Sequence, residues 1–402
     1  MNDTQVSFDP AAFQAARLGQ VPFSGIRRVF DKVKELEASG FDVIHWQIGR
    51  PDFDTPLHIK KAAIAALERG EVHYAPNLGI PALRRAIGTR TSIDTGIPVD
   101  GEKQVVVMAG ANEGIFVSML AFLNPGDEAI VPSPNWHHYK SCIALAGGIP
   151  VEVPTSEQNG FALDPEDVER RITPRTKMLC ITSPGNPTGC VYPQETLKAL
   201  ARIAMKHNLL VMSDEIYARI YYGKEPVAPS IYSISGMAER TIIINGFSKT
   251  YAMDGWRLGW TVASEPLTRA ILKIRQYTTV CVNTFVQYAA AEALMADQTC
   301  VATMVGEFAR RRDIMLKGLR AIPGITVAEP LGAFYVFPNI KTFGLSSQEL
   351  ADHLLEKYHI ATVAGSVFGD AGEGYLRISY SCSTEECERG VARLAQALES
   401  LR

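Results

Sequence analysis

Short β-rich runs alternate with amphipathic helical stretches through the middle of the chain, and this alternation constrains the fold more than any other feature. Strands that alternate with helices are typical of a parallel sheet whose two faces are covered by helices. We therefore predict an α/β fold with three layers, built on a mostly parallel sheet. The predicted strands are KQVVVMA (103–109), DEAIVP (127–132), IPVEVP (149–154), KMLCITS (177–183), LLVMSDE (209–215), TIIING (241–246) and LGWTVA (258–263).

The last third of the chain has a different pattern, because long helical stretches dominate from about residue 286 and only a few strands are interspersed. We predict a large domain at 49–288 and a smaller α+β domain at 289–402. The N-terminal segment 1–48, with a predicted helix at 27–38, is too short to form a domain alone. We expect this segment to join the smaller domain.

The balance of charge argues against a nucleic-acid or membrane partner. The 402 residues carry a formal net charge of −3, and both signs are scattered along the chain. No apolar run is long enough to span a bilayer, and the N-terminus lacks the pattern of a secretory signal. Seven cysteines without a CxxC pair are typical of free thiols in a reducing compartment. We expect a soluble, cytoplasmic protein that acts on small molecules.

Lys249 follows a predicted strand in the segment Ile-Asn-Gly-Phe-Ser-Lys-Thr, and Arg257 lies eight residues beyond it. Ligands bind at the carboxyl edge of open α/β sheets, where this strand would place Ser248 and Lys249. A lysine whose pKa is lowered by its surroundings can form a Schiff base with a carbonyl cofactor. Arg257 could supply a neighbouring positive charge and bind a phosphate group. A lone lysine at a strand end would more often be a surface residue, so its neighbours decide the interpretation.

Seven segments in this order resemble the class I/II aminotransferases, which are fold-type I pyridoxal-phosphate enzymes, and the resemblance covers about 25–398. Seven motifs in one order are far more specific than any single one. The segments are IGRPDF (48–53), HYAPNLGIPALRRAI (73–87), GANEGIFVSMLAFLNPGDEAIVPSPNW (110–136), SPGNPTG (183–189), SDEIYARI (213–220), GFSKTYAMDGWRLGW (246–260) and YLRISYS (375–381).

The resemblance implies pyridoxal 5′-phosphate (PLP) as cofactor, joined to Lys249. The matching aspartate, Asp214, would bond the protonated pyridine nitrogen and so keep the ring an acceptor of electrons. Read alone, Asp214 could instead cap the helix that follows it. Tyr217 and Asn186 resemble the two residues that bond the phenolate oxygen, and Trp136 resembles the aromatic residue that stacks on the ring.

The cofactor phosphate would be held at the turn before a predicted helix, where backbone N–H groups favour an anion. In the family, Ala111, Asn112, Ser248 and Arg257 match this site. A Ser or Thr often stands three residues before the lysine, but this chain has Gly246, so more of the binding would fall to the backbone.

Tyr74 resembles a tyrosine that reaches the cofactor phosphate of the neighbouring subunit. This resemblance implies a homodimer with shared active sites. A buried interface tyrosine without ligand contact is the alternative.

The substrate carboxylate would be bound by Arg377, which matches an arginine that makes two parallel hydrogen bonds in the family. Gly49 and Asn186 would also lie against the substrate. An acidic residue commonly follows the glycine, but here it is Arg50. We predict no metal site, because the adjacent histidines 137 and 138 would point apart on a helix and lack a third ligand.

The resemblance implies that the enzyme exchanges an amino group between an L-amino acid and a 2-oxo acid by a ping-pong mechanism, with Lys249 as base and acid. A carbon–sulfur lyase or a related synthase on the same scaffold is the alternative. A ligand-sensing regulator would need a DNA-binding module, for which the N-terminal segment is too short. The side chain of the substrate stays open. Phe23, Trp136 and Tyr335 could form a pocket for neutral or aromatic side chains.

Overall fold

The computed structural model describes residues 8–401. The chain begins with two short 3-10 turns and an amphipathic helix, which precede the large sheet. The predicted helix at 27–38 is confirmed, although it begins two residues earlier. The elements of this region are the turns Pro10–Phe13 and Ala16–Gln20, followed by α1 (Gly25–Ala38), β1 (Ile44–His45), α2 (Leu57–Glu68) and α3 (Pro81–Thr95).

All seven strands predicted for the large sheet are present, with bounds that differ by a few residues from the predicted ones. They are β2 (Val105–Met108), β3 (Glu128–Ser133), β4 (Ile149–Pro154), β5 (Thr176–Thr182), β6 (Leu210–Asp214), β7 (Thr241–Gly246) and β8 (Gly259–Val262). The helices between them are α4 (Ala111–Phe122), α5 (His138–Leu145), α6 (Pro165–Arg170), α7 (Gln194–Lys206) and α8 (Glu265–Arg275).

The large sheet has the strand order β2-β8-β7-β6-β5-β3-β4. β8 runs antiparallel to its neighbours β2 and β7, and the other pairs are parallel. β2, β3 and β8 are buried along their whole length, and β5, β6 and β7 are buried at all but one residue each, as expected for a sheet covered on both faces. The predicted α/β fold with a mostly parallel sheet is therefore confirmed.

The carboxyl ends of β2, β5, β6 and β7 lie at one edge of this sheet, because these four strands point the same way. The chain leaves β2 at Gly110, β6 ends at Asp214, and β7 leads directly to Lys249. Residues that are distant in sequence are thus gathered by topology at the edge where α/β folds bind ligands.

The rest of the chain forms a second group of helices with two small sheets. β1 pairs in parallel with β10, and β12 lies between β11 and β9 in an antiparallel sheet. Trp46, Phe308 and Phe334 belong to the apolar core of this group. The elements are α9 (Thr284–Met295), α10 (Thr299–Ala321), β9 (Tyr335–Val336), α11 (Ser347–Tyr358), β10 (Ile360–Ala361), β11 (Val363–Ala364), β12 (Leu376–Ser379) and α12 (Thr384–Glu399).

The boundary predicted after residue 288 lies inside helix α9, which packs against α2 and α3 as one element. Its apolar side chains, such as Ala289 and Leu294, share a core cluster with Leu83 of α3. A helix that is continuous and packed on one core is not divided between two domains. We propose instead that the smaller domain begins between α9 and α10, at 296–298. Within residues 8–401, no helix combines the length and apolarity that crossing a membrane requires.

Candidate active site

A cavity of about 300 Å³ opens at the carboxyl edge of the large sheet, between this sheet and elements of the second group. All of the predicted site residues except Tyr74 line it. Its lining residues are Ile26, Phe30, Gly49, Ala111, Asn112, Trp136, Tyr139, Thr182, Asn186, Asp214, Ile216, Tyr217, Ser248, Lys249, Asp254, Arg257, Tyr335 and Arg377.

Lys249 follows β7 and extends its amine into this cavity, where Nζ donates to the carbonyl oxygen of Gly49 at 2.5 Å. Burial lowers the pKa of the Lys249 amine to about 8. The Asp254 carboxylate opposes this shift, whereas the charges on Arg377 and Arg257 add to it. A larger fraction of neutral amine is therefore available near neutral pH, which is the state that attacks a carbonyl group.

Asp214 ends β6 and is only 5% exposed. Its Oδ1 accepts from the backbone N–H of Ile216 at 3.0 Å, and its Oδ2 accepts from the hydroxyl of Tyr139. No Lys or Arg in the described chain forms an ion pair with it. Burial raises the pKa of Asp214 to about 6, and the two hydrogen bonds limit the rise. A buried carboxylate without a cationic partner fits a ligand that brings a positive charge.

Tyr139 and Thr182 were not identified from the sequence. Thr182 Oγ1 donates to the Tyr139 hydroxyl at 3.0 Å, which donates in turn to Asp214. The signal in the sequence is weak: Tyr139 lies three residues after Trp136, and Thr182 is the last residue of β5. Helix α5 begins at His138, after a loop that follows β3, so Tyr139 lies in its first turn with its hydroxyl against Asp214.

The turn between β2 and α4 forms a cradle around Arg257. Gly110 has φ +90°, and a Cβ there would lie 2.5 Å from Arg257 Nη2, so a side chain is excluded. α4 begins at Ala111 without a side-chain cap, which leaves backbone N–H groups free for an anion. Arg257 Nη1 donates to the carbonyl of Asp254 at 2.8 Å, and no carboxylate within 8–401 pairs with its guanidinium. With buried Ser248 beside it, this cradle fits a phosphate group.

Gly246, which replaces the common Ser or Thr, is closely packed. A Cβ there would lie 3.1 Å from both Ile216 Cδ1 and the carbonyl oxygen of Leu258. β7 therefore packs tightly against its neighbours at Gly246, where the chain lacks the hydroxyl of a serine or threonine.

Tyr217 lies on the far wall of the cavity, and its hydroxyl is 2.9 Å from that of Tyr335. Burial raises the pKa of the Tyr217 hydroxyl, so it remains a proton donor at neutral pH. Asn186 Oδ1 accepts from Arg377 Nη1 at 3.3 Å, which leaves the amide of Asn186 directed to the same cavity. A Cβ on Gly49 would lie 2.8 Å from the Tyr335 hydroxyl, so only glycine fits against this wall.

Arg377 lies in β12 and is 1% exposed. Nη2 donates to the carbonyl oxygen of Gln47 at 2.7 Å, while Nε has no hydrogen-bond partner in the part of the chain that the structure describes. Its guanidinium lies between the rings of Tyr335 and Phe368, with centroids at 4.8 and 5.2 Å. A buried arginine that pairs with no acidic residue in 8–401 fits an anionic ligand such as a carboxylate.

Two residues considered from the sequence lie outside this cavity. Tyr74 is 90% exposed, and Phe23 is fully exposed on the surface of the single chain. Phe23 therefore does not form the pocket wall suggested for it, whereas Trp136 and Tyr335 do line the cavity. The position of Tyr74 fits a contact with another molecule rather than with its own cavity.

The model of the family described as aminotransferase class I and II matches residues 42–394. The chain belongs to the class I and II aminotransferases. This aminotransferase is 43% identical to an aspartate aminotransferase of Pyrococcus abyssi over 384 residues, which cover 95% of this chain and 97% of that protein. It is 42% identical to aromatic-amino-acid aminotransferase 2 of Thermococcus litoralis over 386 residues, with coverage of 95% and 97%.

Among solved structures, the aspartate aminotransferase of Thermus thermophilus with maleate is similar to this aminotransferase, with a TM-score of 0.91. The two are 38% identical, and the match covers 96% of this chain and 99% of that one. The family and the fold type I architecture predicted from the seven motifs are confirmed. The protein is thus an enzyme that transfers amino groups.

Proposed function

We propose that this aminotransferase uses PLP bound to Lys249 and exchanges an amino group between an L-amino acid and a 2-oxo acid. The observation that carries the proposal is the pairing of two groups in one cavity, the amine of Lys249 and the buried carboxylate of Asp214. The fit of the remaining residues supports it. Arg257 and Ser248 at the α4 turn would hold the phosphate, Asp214 the ring nitrogen, Tyr217 and Asn186 the phenolate oxygen, and Trp136 the ring face.

When bound, PLP supplies an electron-accepting ring that stabilises negative charge on the substrate α-carbon. The chain supplies the rest. Arg377 binds the substrate carboxylate and so fixes the direction of the α-hydrogen. Lys249 Nζ removes the α-proton and later returns a proton. In the structure the Gly49 carbonyl accepts a hydrogen bond from this amine. Asp214 would maintain a negative charge next to the ring nitrogen.

We propose a preference for amino acids with neutral or aromatic side chains. Ile26, Phe30, Trp136 and Tyr335 give the cavity apolar and aromatic walls. Its cationic side chains within the described residues are Lys249, Arg257 and Arg377, which the cofactor and the α-carboxylate would occupy. Asn112 adds a neutral amide. Of the three similar proteins named above, two are named for aspartate and one for aromatic amino acids, so the family accommodates both classes.

One experiment tests the reaction class and the preference together. The absorbance of the PLP-loaded enzyme is followed after addition of phenylalanine, tyrosine or aspartate alone, and then after addition of 2-oxoglutarate. We expect each donor to shift the spectrum and the oxo acid to restore it, with the aromatic donors at least about tenfold better in kcat/KM. Release of ammonia, pyruvate and a thiol from added cystathionine, with no reversible shift by the three donors, would indicate a carbon–sulfur lyase. A higher kcat/KM for aspartate would reject the proposed preference.

We propose further that the enzyme is a homodimer with shared active sites. Tyr74 is resolved as an exposed side chain on the single chain, and the family resemblance assigns it to the cofactor phosphate of the neighbour. The phosphate cradle at Arg257 is also open to solvent when the chain is alone. A second copy that delivers Tyr74 to this cradle accounts for both observations.

Mixed dimers test this sharing. Lys249→Ala and Tyr74→Ala subunits, each nearly inactive alone, are expected to regain activity when they are mixed and allowed to exchange. One site of the mixed dimer contains both defects, and the other contains neither, so each mixed dimer should approach half of the wild-type activity. Mixtures that stay inactive despite subunit exchange, measured with two mass-distinct tags, would place both residues in the site of one chain.

The seven cysteines are all free thiols in the structure, and five of them are buried: Cys142, Cys180, Cys190, Cys382 and Cys387. Burial raises the pKa of Cys142 to about 12, so its thiol remains protonated and unreactive. Unpaired thiols of this kind support the proposal that the protein resides in the reducing cytoplasm.

A further inference from the structure

Glu113, in the first turn of α4, joins two parts of the structure that have separate tasks in the proposed enzyme. Its Oε2 accepts from the backbone N–H of Ala109 at 2.5 Å, directly before the phosphate turn. Its Oε1 accepts from the hydroxyls of Thr278 at 2.6 Å and Thr279 at 2.7 Å. One carboxylate therefore connects the turn at Gly110 to a surface loop more than 160 residues away in sequence.

This loop, 276–280, is held in an unfavourable conformation. Val280 has φ +59°, which is strained for a β-branched residue and indicates a functional constraint. Arg275, which is completely buried, donates through Nη1 to the Val280 carbonyl and holds it in place. The Nε and Nη2 groups of Arg275 have no hydrogen-bond partner among residues 8–401. Burial lowers the pKa of Arg275, and the negative charge of nearby Glu113 opposes this shift.

Two apolar side chains of the loop are exposed to solvent, as is Tyr74. Tyr277 is 84% exposed, and Val280 is half-exposed. The Thr284 hydroxyl, at the start of α9 and four residues after Val280, donates to the carbonyl oxygen of His73 at 2.5 Å, so the chain that follows the loop lies against the Tyr74 segment. We call the exposed side chains of Tyr74, Tyr277 and Val280 the apolar rim. A second copy of this chain is the occupant that fits it, because the shared-site dimer proposed above already brings Tyr74 against a neighbour.

We propose that Glu113 is a positioning residue that couples cofactor binding at the phosphate turn to association of two subunits at loop 276–280. Phosphate at the turn fixes the Ala109 N–H and the start of α4, and hence the carboxylate of Glu113. The fixed carboxylate orders Thr278 and Thr279, and with them the apolar rim that meets the partner. Coupling between two sites is reciprocal, so dimerisation tightens PLP binding by the same factor. This inference rests on the proposed PLP-dependent dimer.

The test is the dimer dissociation constant with and without PLP, measured by sedimentation for the wild type, Glu113→Gln and the double variant Thr278→Val/Thr279→Val. We expect PLP to lower the constant at least about tenfold in the wild type and less than about twofold in both variants. Glu102→Gln, the same change at an exposed carboxylate paired with Arg85, serves as control and should keep the wild-type ratio. The double variant keeps the test valid if Glu113→Gln folds poorly.

If Glu113 had only a structural role, its loss would weaken the dimer equally with and without PLP. Both variants would then keep the wild-type ratio of the two dissociation constants, and this result would overturn the inference. A wild type that dimerises equally with and without PLP would overturn it too. The wild-type samples also report PLP absorbance and aminotransferase turnover. If PLP absorbance and turnover are present but both variants keep the wild-type ratio of dissociation constants, the coupling is wrong and the proposed function stands. If PLP absorbance and turnover are absent from the wild type, both the proposed function and the coupling are wrong.

Discussion

Replacement of Lys249 by alanine is expected to abolish turnover, with kcat reduced by at least about 10⁴-fold. The variant loses both the amine that would hold PLP and the group that would move the α-proton. No other lysine lines the cavity within the described residues, so no neighbour can replace it. Arg377 and Asp214 remain, and binding of the substrate carboxylate should therefore survive the change.

The measurement combines steady-state kinetics with borohydride reduction of the PLP-loaded protein, followed by peptide mass analysis. Reduction should fix PLP on the peptide that contains Lys249 in the wild type and on no peptide of the variant. Added methylamine should restore part of the turnover, because a small amine can occupy the vacated volume. Lys103→Ala, at an exposed lysine near the start of β2, is the matched control. Normal turnover in the Lys249 variant would reject the assignment.

Replacement of Asp214 by asparagine is expected to leave PLP attached but to lower kcat/KM by roughly 10²–10³-fold. Asparagine has the same shape and can keep the hydrogen bond from the Ile216 N–H, but it lacks the charge that favours a protonated ring nitrogen. Tyr139→Phe removes only one hydrogen bond to the carboxylate and should have a much smaller effect, of about tenfold or less. An unchanged rate in Asp214→Asn would refute the role of this carboxylate.

The pH dependence of PLP affinity gives a second readout for the same residue. Burial raises the pKa of Asp214 to about 6 in the cofactor-free chain, so this group becomes neutral as the pH falls through 6. Only the ionised carboxylate attracts a cationic ring nitrogen, and the affinity of the wild type should therefore weaken below pH 6. Asp214→Asn has no charge to lose at this position and should show a weaker dependence. Titration of free PLP in solution is the same in both experiments, and the difference between the two proteins isolates Asp214.

The fold and most of the site could be predicted from the sequence because the reactive side chains lie at the ends of strands. Asp214 and Lys249 each follow an apolar run, and parallel strands bring their ends together whatever the details of packing. Tyr139, Thr182 and Glu113 could not be identified from the sequence, because their roles depend on side-chain contacts between elements that are far apart in sequence. Such contacts are set by packing, on which local periodicity gives no information.

The boundary predicted after residue 288 falls inside helix α9 for a related reason. The helical pattern that begins near 286 was assigned to the smaller domain, although the first of these helices packs on α2 and α3. Periodicity indicates that a helix has an apolar face, but it does not say which core that face covers. The contact proposed for Tyr74 is with a second subunit, which the sequence of one chain does not describe. Residues 1–7 and 402 lie outside the part of the chain that the structure describes.

The tyrosine behind Asp214 has a consequence for how the enzyme would respond to its surroundings. Histidine could also donate to a catalytic carboxylate, but it changes charge between pH 5 and 8. Burial and the adjacent carboxylate hold the pKa of the Tyr139 hydroxyl far above that interval, so it donates its proton under all ordinary conditions. The hydrogen bond from Tyr139 would therefore be unaffected by changes in cellular acidity, and an acid response on that side of a bound ring should originate at Asp214 itself.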